Sequence, residues 1–305
     1  MKLHRNLVFA VIDALNLIFN ENEYADKVVQ KVLRFDKRWG ARDRGFIAET
    51  TYEMVRYKRL YAEIAEVKAP FSRPDLFRMW AVWAVLKGIN IPDWKQIEPT
   101  PERRIKGKFD ELSQIRKFRE AIPDWIDELG EKALGDKLWT EEIAKLNEPA
   151  EVILRTNTLR TTKEELRKAL LDENIVAEPI RGYASALKLV GQRVVDTCAG
   201  AGGKSLHLAA LMENKGQLIS MDIYGSKLKE LKRRARRNGA HNIEVREIDS
   251  SKVYKKLYGS ADRVLIDAPC TGLGVLRRNP DSKWKMQPEF LDKIVKTQQE
   301  ILIQQ

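Results

Sequence analysis

The residues best suited to chemistry form a glycine-rich stretch, Asp196-Thr197-Cys198-Ala199-Gly200-Ala201-Gly202-Gly203-Lys204-Ser205. The apolar pair Val194-Val195 precedes it and an apolar run over 206–211 follows it, a pattern that predicts a strand, a tight loop and a helix. Glycines let a backbone approach a ligand closely, and a helix N-terminus offers unpaired N–H groups. The stretch therefore predicts a ligand-binding loop.

Acidic residues recur where later strands are expected to end. Asp222 lies 20 residues beyond Gly202, after the largely apolar strand expected at 218–221, and Asp249 follows the next expected strand, 243–248. A third stretch runs Val264-Leu265-Ile266-Asp267-Ala268-Pro269-Cys270. Open α/β sheets bind ligands at the carboxyl ends of their strands, so these acids are candidate ligand contacts.

Three ligand chemistries compete for the glycine loop. A Walker phosphate loop fits Gly203-Lys204-Ser205, but Cys198 stands where its first glycine belongs. A dinucleotide fingerprint fits Gly200 and Gly202, but Ser205 takes the place of its third glycine. The third candidate is S-adenosylmethionine. An acid just before the loop repels a pyrophosphate, whereas it suits a sulfonium and an ammonium group, so the methyl donor is favoured.

On this interpretation Asp196 faces the cationic methionine end, Asp222 accepts from the ribose hydroxyls and Asp249 accepts from the adenine amino group. Cys198, next to the loop, is better explained as a small packing residue, and Lys204 either orients the loop or meets the substrate backbone. The predicted donor-binding residues are Asp196, Cys198, Ala199, Gly200, Ala201, Gly202, Gly203, Lys204, Asp222, Lys227, Asp249 and Asp267.

Two strings carry a family resemblance. The glycine stretch, together with Asp267-Ala268-Pro269-Cys270-Thr271-Gly272-Leu273-Gly274-Val275-Leu276-Arg277-Arg278-Asn279-Pro280-Asp281, resembles the RsmB/Sun (Fmu) family of RNA cytosine-5 methyltransferases. Residues 38–47 look like the NusB-like helical domain of these enzymes, and residues 154–166 look like their small α/β linker domain. The resemblance implies S-adenosylmethionine as cofactor and RNA, by default ribosomal RNA, as partner.

The resemblance also bears on the catalytic residues, which we predict to be Asp267 and Cys270. Cytosine carbon 5 attacks a methyl group only after a thiolate has added to carbon 6, and an acid near ring N3 assists. Asp267 suits the role of this acid near ring N3. From the residues alone Cys270 is the nucleophile. The family instead implies that a later Thr-Cys cysteine attacks and that the Pro-Cys cysteine assists elimination and release.

The sequence departs from the family pattern in two places. Residues 186–190 run almost directly into Gly191, where family members carry a longer stretch with a Gln-Asp-x-x-Ser element. After the helix expected around Gln298, family members have a strand ending in Thr-Cys, and the two cysteines here, Cys198 and Cys270, both precede it. We expect the attacking cysteine to lie outside the 305 residues.

The 305 residues predict a multidomain protein. An all-α NusB-like, RNA-binding domain is expected over 1–145 and a small α/β linker domain over 146–190, with strands at 152–158 and 176–180 around a helix capped by Thr161 or Thr162. A Rossmann-like, doubly wound α/β methyltransferase domain is expected over 191–305, because strand and helix patterns alternate there.

Composition narrows the classes of function. The net charge is +11, and residues 191–305 contribute +8 of it, which suits a polyanionic partner. Two cysteines and three histidines favour neither a disulfide framework nor a metal site, and a reducing, cytoplasmic location is expected. The first apolar run is too short to span a bilayer, so no membrane association is expected.

We expect a monomer. An NAD-dependent oxidoreductase and a non-catalytic RNA-binding protein remain as alternatives.

Overall fold

A computed structural model describes residues 3–91, 93–97, 101–148, 153–179, 192–250 and 252–304. The helices are α1 (Arg5–Phe19), α2 (Ala25–Leu33), α3 (Ala41–Arg56), α4 (Lys58–Ala65), α5 (Arg73–Leu86), α6 (Glu102–Leu112), α7 (Arg116–Arg119), α8 (Asp124–Leu134), α9 (Asp136–Asn147), α10 (Lys163–Asp172), α11 (Gly203–Leu211), α12 (Gly225–Asn238), α13 (Lys252–Lys255), α14 (Ser282–Lys285) and α15 (Glu289–Gln304). The strands are β1 (Arg193–Asp196), β2 (Gln217–Asp222), β3 (Ile243–Glu247) and β4 (Arg263–Leu265), and Leu273–Val275 forms a 3₁₀ turn.

The chain forms two compact units, and both are discontinuous in sequence. One comprises Met1–Glu151 with Thr271–Phe290, and we call it the helical unit. The other comprises Val152–Cys270 with Leu291–Gln305, and we call it the sheet unit. The helical first half and the parallel α/β second half confirm the predicted fold class.

The helical unit is built around α5. Ser72 caps this helix in a capping box with Asp75, whose backbone N–H donates to the Ser72 hydroxyl at 3.3 Å. Apolar side chains are buried on nearly every side of α5, among them Leu76, Met79 and Trp80. A helix that is apolar all round must lie inside the core, and helices α1, α4 and α6 pack against it.

Helix α1 confirms the helical spacing of the first apolar run. Its regularly spaced apolar residues are all buried: Leu7, Ala10, Val11, Ala14, Leu15 and Ile18. It therefore serves as a core helix. Within the described residues, no helix is both long and apolar enough to cross a membrane.

The sheet unit contains a parallel sheet with strand order β3-β2-β1-β4. Asp196, the last residue of β1, is in register with Ser220 of β2 and with Leu265 of β4. The strands after β1 are laid down first on one side of it and then, with β4, on the other. This reversal makes a topological switch point between β1 and β4, where open α/β sheets bind their ligands.

The linker region differs from the prediction. Helix α10 begins as expected, with Thr162 as N-cap and Glu165 closing the capping box. The prediction of two flanking strands was wrong. Residues 153–157 and 176–179 are irregular, while Val152 and Ile180 lie outside the described residues. A strand is stable only when its backbone groups pair with a neighbour, and β propensity alone does not supply that neighbour.

Candidate active site

The carboxylate of Asp196 ends β1 and is fully buried behind the glycine loop. Ser205 Oγ donates to Asp196 Oδ2 at 2.7 Å, and the backbone N–H of Cys198 donates to its Oδ1 at 3.4 Å. Burial raises the pKa of Asp196, while the hydrogen bond from Ser205 opposes that rise. Asp196 thus ties the strand end to the first turn of α11.

Asp222 fixes the other side of the same loop. Its Oδ2 accepts from the backbone N–H of Gly200 at 2.8 Å, and its Oδ1 accepts from the N–H of Tyr224 at 2.9 Å. The N–H of Ala199 donates to Met221 O of β2 at 2.8 Å. The acid at the end of β2 therefore holds the loop that leaves β1, as their spacing predicts.

The loop leaves space for a ligand at two of its glycines. A Cβ built on Gly200 or Gly203 meets no atom within 4 Å, so a ligand can approach the backbone closely at both positions. Gly200 has a left-handed φ of 55°, which a side chain would strain. This backbone cradle and the adjacent acids fit a cationic, ribose-bearing ligand such as S-adenosylmethionine.

Gly202 has a different, structural reason to be glycine. Its φ is 87°, and a Cβ there would lie 2.5 Å from Cγ of Leu231 in α12.

We expect Gly202→Ala to lower the free energy of unfolding by about 1–3 kcal/mol, measured by urea denaturation. Gly203→Ala is the matched control and should change it little, because that position is open and helical. Equal effects of the two substitutions would contradict this account.

Asp267 lies two residues beyond β4, on the far side of the switch point from β2. Its Oδ2 forms an ion pair with Nζ of Lys204, the second residue of α11. Both side chains are about half exposed, so the pair faces solvent rather than the core. The glycine loop and the Asp-Ala-Pro-Cys loop are thereby joined across the switch point.

Cys270 is exposed at the end of this second loop. Gln298 of α15 donates its side-chain N–H to the carbonyl of Pro269 at 2.8 Å, which fixes the residue just before the cysteine. Cys198, in contrast, is half-buried, and burial raises the pKa of its thiol. Of the two thiols, Cys270 is the one open to a substrate.

The remaining predicted residues are more peripheral. Asp249 is exposed beyond the end of β3 and accepts a hydrogen bond from Ser250 Oγ at 3.0 Å; within the described ranges no hydrogen bond joins it to the glycine loop. Lys227 lies over the Tyr224 ring, with Nζ 4.4 Å from the ring centroid. Their roles in donor binding stay predictions.

Sequence reasoning missed three supporting residues. Ser205 counted only as a match to the Walker loop and a mismatch to the dinucleotide fingerprint, although a small hydroxyl in the first turn of a helix can reach back to an acid before the loop. Arg234 Nη1 donates to the Ala201 carbonyl at 2.8 Å, and Gln298 holds Pro269. The sequence carries no local signal for these last two, because the contacts join distant segments.

In the part of the chain that the structure describes, no group of histidine, cysteine and acidic residues could hold a metal ion.

Comparison with known proteins places this geometry in a family. Residues 185–305 match the family described as 16S rRNA methyltransferase RsmB/F, and residues 122–196 match the RsmF/B-like ferredoxin-like domain. A probable ribosomal RNA small subunit methyltransferase B of Synechocystis sp. is 30% identical, over 98% of this chain and 81% of that protein. The chain belongs to the RsmB/F family.

More distant relatives agree with RsmB/F membership. The 28S rRNA (cytosine(4447)-C(5))-methyltransferase of Homo sapiens is 28% identical over 53% of this chain and 24% of its own length. The solved structure entitled "Crystal Structure of PH0851" is similar with a TM-score of 0.70 at 21% identity, over 100% of this chain and 83% of that one. At this identity it supports the fold alone. The protein is thus a methyltransferase, and its family implies a donor of the S-adenosylmethionine type.

Proposed function

We propose that this protein transfers a methyl group from S-adenosylmethionine to carbon 5 of cytosine in ribosomal RNA. One observation carries the proposal: Asp267, paired with Lys204, and the exposed Cys270 follow β4 at the switch point, next to the glycine loop. An RsmB/F methyltransferase needs both an acid and a thiol beside its methyl donor to activate cytosine. The net charge of +11 supports a polyanionic substrate, and the cytoplasm is the proposed location.

The glycine loop and Asp222 would hold the donor. The donor supplies an electrophilic methyl group on a sulfonium sulfur. Asp222 retains free lone pairs for ribose hydroxyls while it accepts from Gly200 and Tyr224. Asp196 lies behind the loop, where its negative charge would favour a cationic ligand. A dinucleotide is disfavoured, because Ser205 stands at the third glycine position and its hydroxyl is bonded to Asp196.

The chemistry assigned to the second loop is covalent catalysis. A thiolate adds to carbon 6 of cytosine, and Asp267 relays to ring N3 a proton from its ammonium partner Lys204, so that the ring accepts the electron pair; the proton returns when the ring is restored. Carbon 5 then attacks the methyl group, and the sulfonium sulfur keeps the electrons of the broken bond. Loss of the carbon 5 proton to a base expels the thiolate and restores the ring. We propose that Cys270 assists this last elimination and that Lys204 orients Asp267.

A direct test uses a protein that carries the Thr-Cys strand of the family and measures methyl transfer to small-subunit ribosomal RNA from a donor with a radioactive methyl group. We expect label in the RNA, and bisulfite sequencing should place it at a cytosine as 5-methylcytosine. Label at another base or at another cytosine atom would overturn the proposed reaction. Tight binding of NADH without affinity for the methyl donor would instead support the oxidoreductase alternative.

Donor binding should depend on Asp222. We expect Asp222→Ala to weaken donor binding by about 1–3 kcal/mol, roughly 5- to 150-fold in dissociation constant, because the loop and the ribose both lose an acceptor. Calorimetry with S-adenosylmethionine measures the change. Glu230→Gln is the control, since that carboxylate pairs with Arg233 on α12. Unchanged affinity in Asp222→Ala would remove this residue from the site.

A further inference from the structure

A short segment before α10 lies against the C-terminal end of α12, within the sheet unit. Asn157 Nδ2 donates to the carbonyl of Asn238 at 3.0 Å, and Arg160 Nη2 donates to the carbonyl of Arg237 at 3.2 Å. Leu159, between them in sequence, packs on the apolar cluster beneath α12. The last carbonyls of a helix lack partners within the helix, and these two side chains satisfy them. The segment is therefore fixed on α12.

This attachment brings Arg155 close to two further basic side chains. Arg234 of α12 donates from Nη1 to the Ala201 carbonyl of the glycine loop at 2.8 Å, and His207 lies on α11. Burial and then the charge of Arg234 lower the pKa of Arg155. Burial and then the charge of Arg155 lower the pKa of His207. The three side chains thus act on one another electrostatically, and we call them the basic cluster.

No acid balances the basic cluster in the part of the chain that the structure describes. None of its three side chains pairs with a carboxylate there, and the group that Arg234 contacts is a neutral carbonyl. Helix α12 adds to the positive charge, because its sequence holds seven lysines and arginines and one acid, Glu230, which is paired with Arg233. Like charges held together repel, and an anion bound between them would relieve the repulsion. The arrangement therefore favours an anionic ligand.

The basic cluster is open to solvent on one face of the sheet. Arg155 and His207 are exposed. Helices α11 and α12 cover the face to which Val194 points, and α13 covers the face to which Val195 points. The bond from Arg234 to the glycine loop places the cluster beside the proposed donor site. A ligand can thus reach the cluster from solvent without displacing the core.

We propose that the basic cluster binds a backbone phosphate of the RNA strand that presents its cytosine to Asp267 and Cys270; the inference rests on the proposed function. A guanidinium group matches the geometry of a phosphate and can donate two parallel hydrogen bonds to it. The ring of His207 adds an N–H donor. Contacts with phosphate carry no sequence information, but they fix the register and orientation of the strand. The cluster would therefore position the RNA at the site without selecting its sequence.

The test measures RNA binding in the absence of the methyl donor. Arg155→Gln removes the charge of a side chain that forms no hydrogen bond within the described residues, so the fold should be kept. The probe is a fluorescein-labelled single-stranded oligoribonucleotide, and fluorescence anisotropy gives its affinity over a range of salt concentrations. We expect the affinity to fall by about 5- to 10-fold at low salt, and the slope of log affinity against log salt concentration to shrink by about 0.7, the contribution of one phosphate contact. Arg155→Lys should keep most of the slope, because it keeps the charge.

A second measurement reports on the basic cluster directly. We expect the pKa of the His207 ring to rise when the oligoribonucleotide binds, because a phosphate anion offsets the positive charge of Arg155. Nuclear magnetic resonance of the ring protons follows this titration, and His207→Gln assigns the signal among the three histidines. An unchanged pKa in the RNA-bound protein would mean that no phosphate lies in the cluster.

Lys255→Gln is the matched control, since it removes an exposed charge from α13 on the opposite face of the sheet. It should leave the RNA affinity and the slope unchanged. Equal losses in Lys255→Gln and Arg155→Gln, or no loss in Arg155→Gln, would overturn the inference. Loss of inorganic phosphate binding in Arg155→Gln with unchanged RNA affinity would overturn it too, because the cluster would then serve a free anion.

The proposed function can fail separately from the phosphate site. If a protein that carries the Thr-Cys strand of the family binds RNA through Arg155 but methylates no cytosine, the proposed function is wrong and the phosphate site stands. If that protein methylates cytosine and Arg155→Gln leaves its RNA binding unchanged, the phosphate site is wrong and the proposed function stands.

Discussion

Replacing Asp267 with asparagine should lower the rate of methyl transfer at saturating donor by about 10²–10⁴-fold, the usual contribution of a positioned acid or base. The physical reason is the proposed N3 contact. A carboxyl group can hydrogen-bond and protonate ring N3, which the thiolate addition requires, whereas an amide cannot supply the proton. The measurement is a single-turnover assay of labelled methyl transfer to ribosomal RNA by a protein that carries the Thr-Cys strand of the family.

Two comparisons make the Asp267 result specific. Asp292→Asn alters an exposed acid on α15 and should leave the rate unchanged. Lys204→Met removes the ion-pair partner of Asp267, and it should lower the rate less than Asp267→Asn does if its role is to orient that carboxylate. Asp267→Asn with a wild-type rate would mean that another group assists N3.

Replacing Cys270 with alanine should trap a covalent complex with RNA in a protein that carries the Thr-Cys strand of the family. Elimination would then lack its assisting thiol, and turnover should fall by about 10²–10⁴-fold. The complex should survive denaturing electrophoresis, and the donor's methyl label should migrate with the protein. If Cys270 is instead the attacking nucleophile, the same variant forms no covalent complex.

The 305 residues alone separate these two roles further. Their other cysteine, Cys198, is half-buried with a raised pKa, so it yields little thiolate at neutral pH. We therefore expect these residues to bind the donor without transferring its methyl group. Measurable transfer that disappears in Cys270→Ala but persists in Cys198→Ser would identify Cys270 as the nucleophile.

The sequence predicts the backbone of the glycine loop well because every signal there is local. Each signal constrains the neighbouring backbone: the apolar pair before Asp196, the glycines, and the apolar run after Lys204. The strand β1 and the helix α11 lie where these signals predict them. Spacing also predicts that Asp222 lies beside the glycine loop, since parallel strands bring their carboxyl ends to one edge, and its role in donor binding stays a prediction. Strand periodicity and the alternation of strand and helix patterns were enough to predict the fold class.

The features that the sequence did not reveal depend on contacts between distant residues. The pairing of Lys204 with Asp267 spans 63 residues, and that of Asp281 with Ala25 spans 256. No local pattern records which partner a polar side chain will meet after folding. The prediction of the linker strands failed for the same reason. β-branched residues near 153–157 favour extended backbone, but the hydrogen bonds of a β-sheet also require a partner strand.

The return of the segment Thr271–Phe290 to the helical unit has a consequence for the order in which this protein folds on the ribosome. Ala25 N–H donates to Asp281, and Trp284 Nε1 donates to the Val55 carbonyl, so the helical unit cannot be complete when its first 151 residues emerge. It must wait until the β-sheet has also been synthesised, although domains generally fold in turn from the N-terminus. Until then the Ala25 N–H and the Val55 carbonyl lack their final partners, and incompletely packed intermediates of this kind are prone to association.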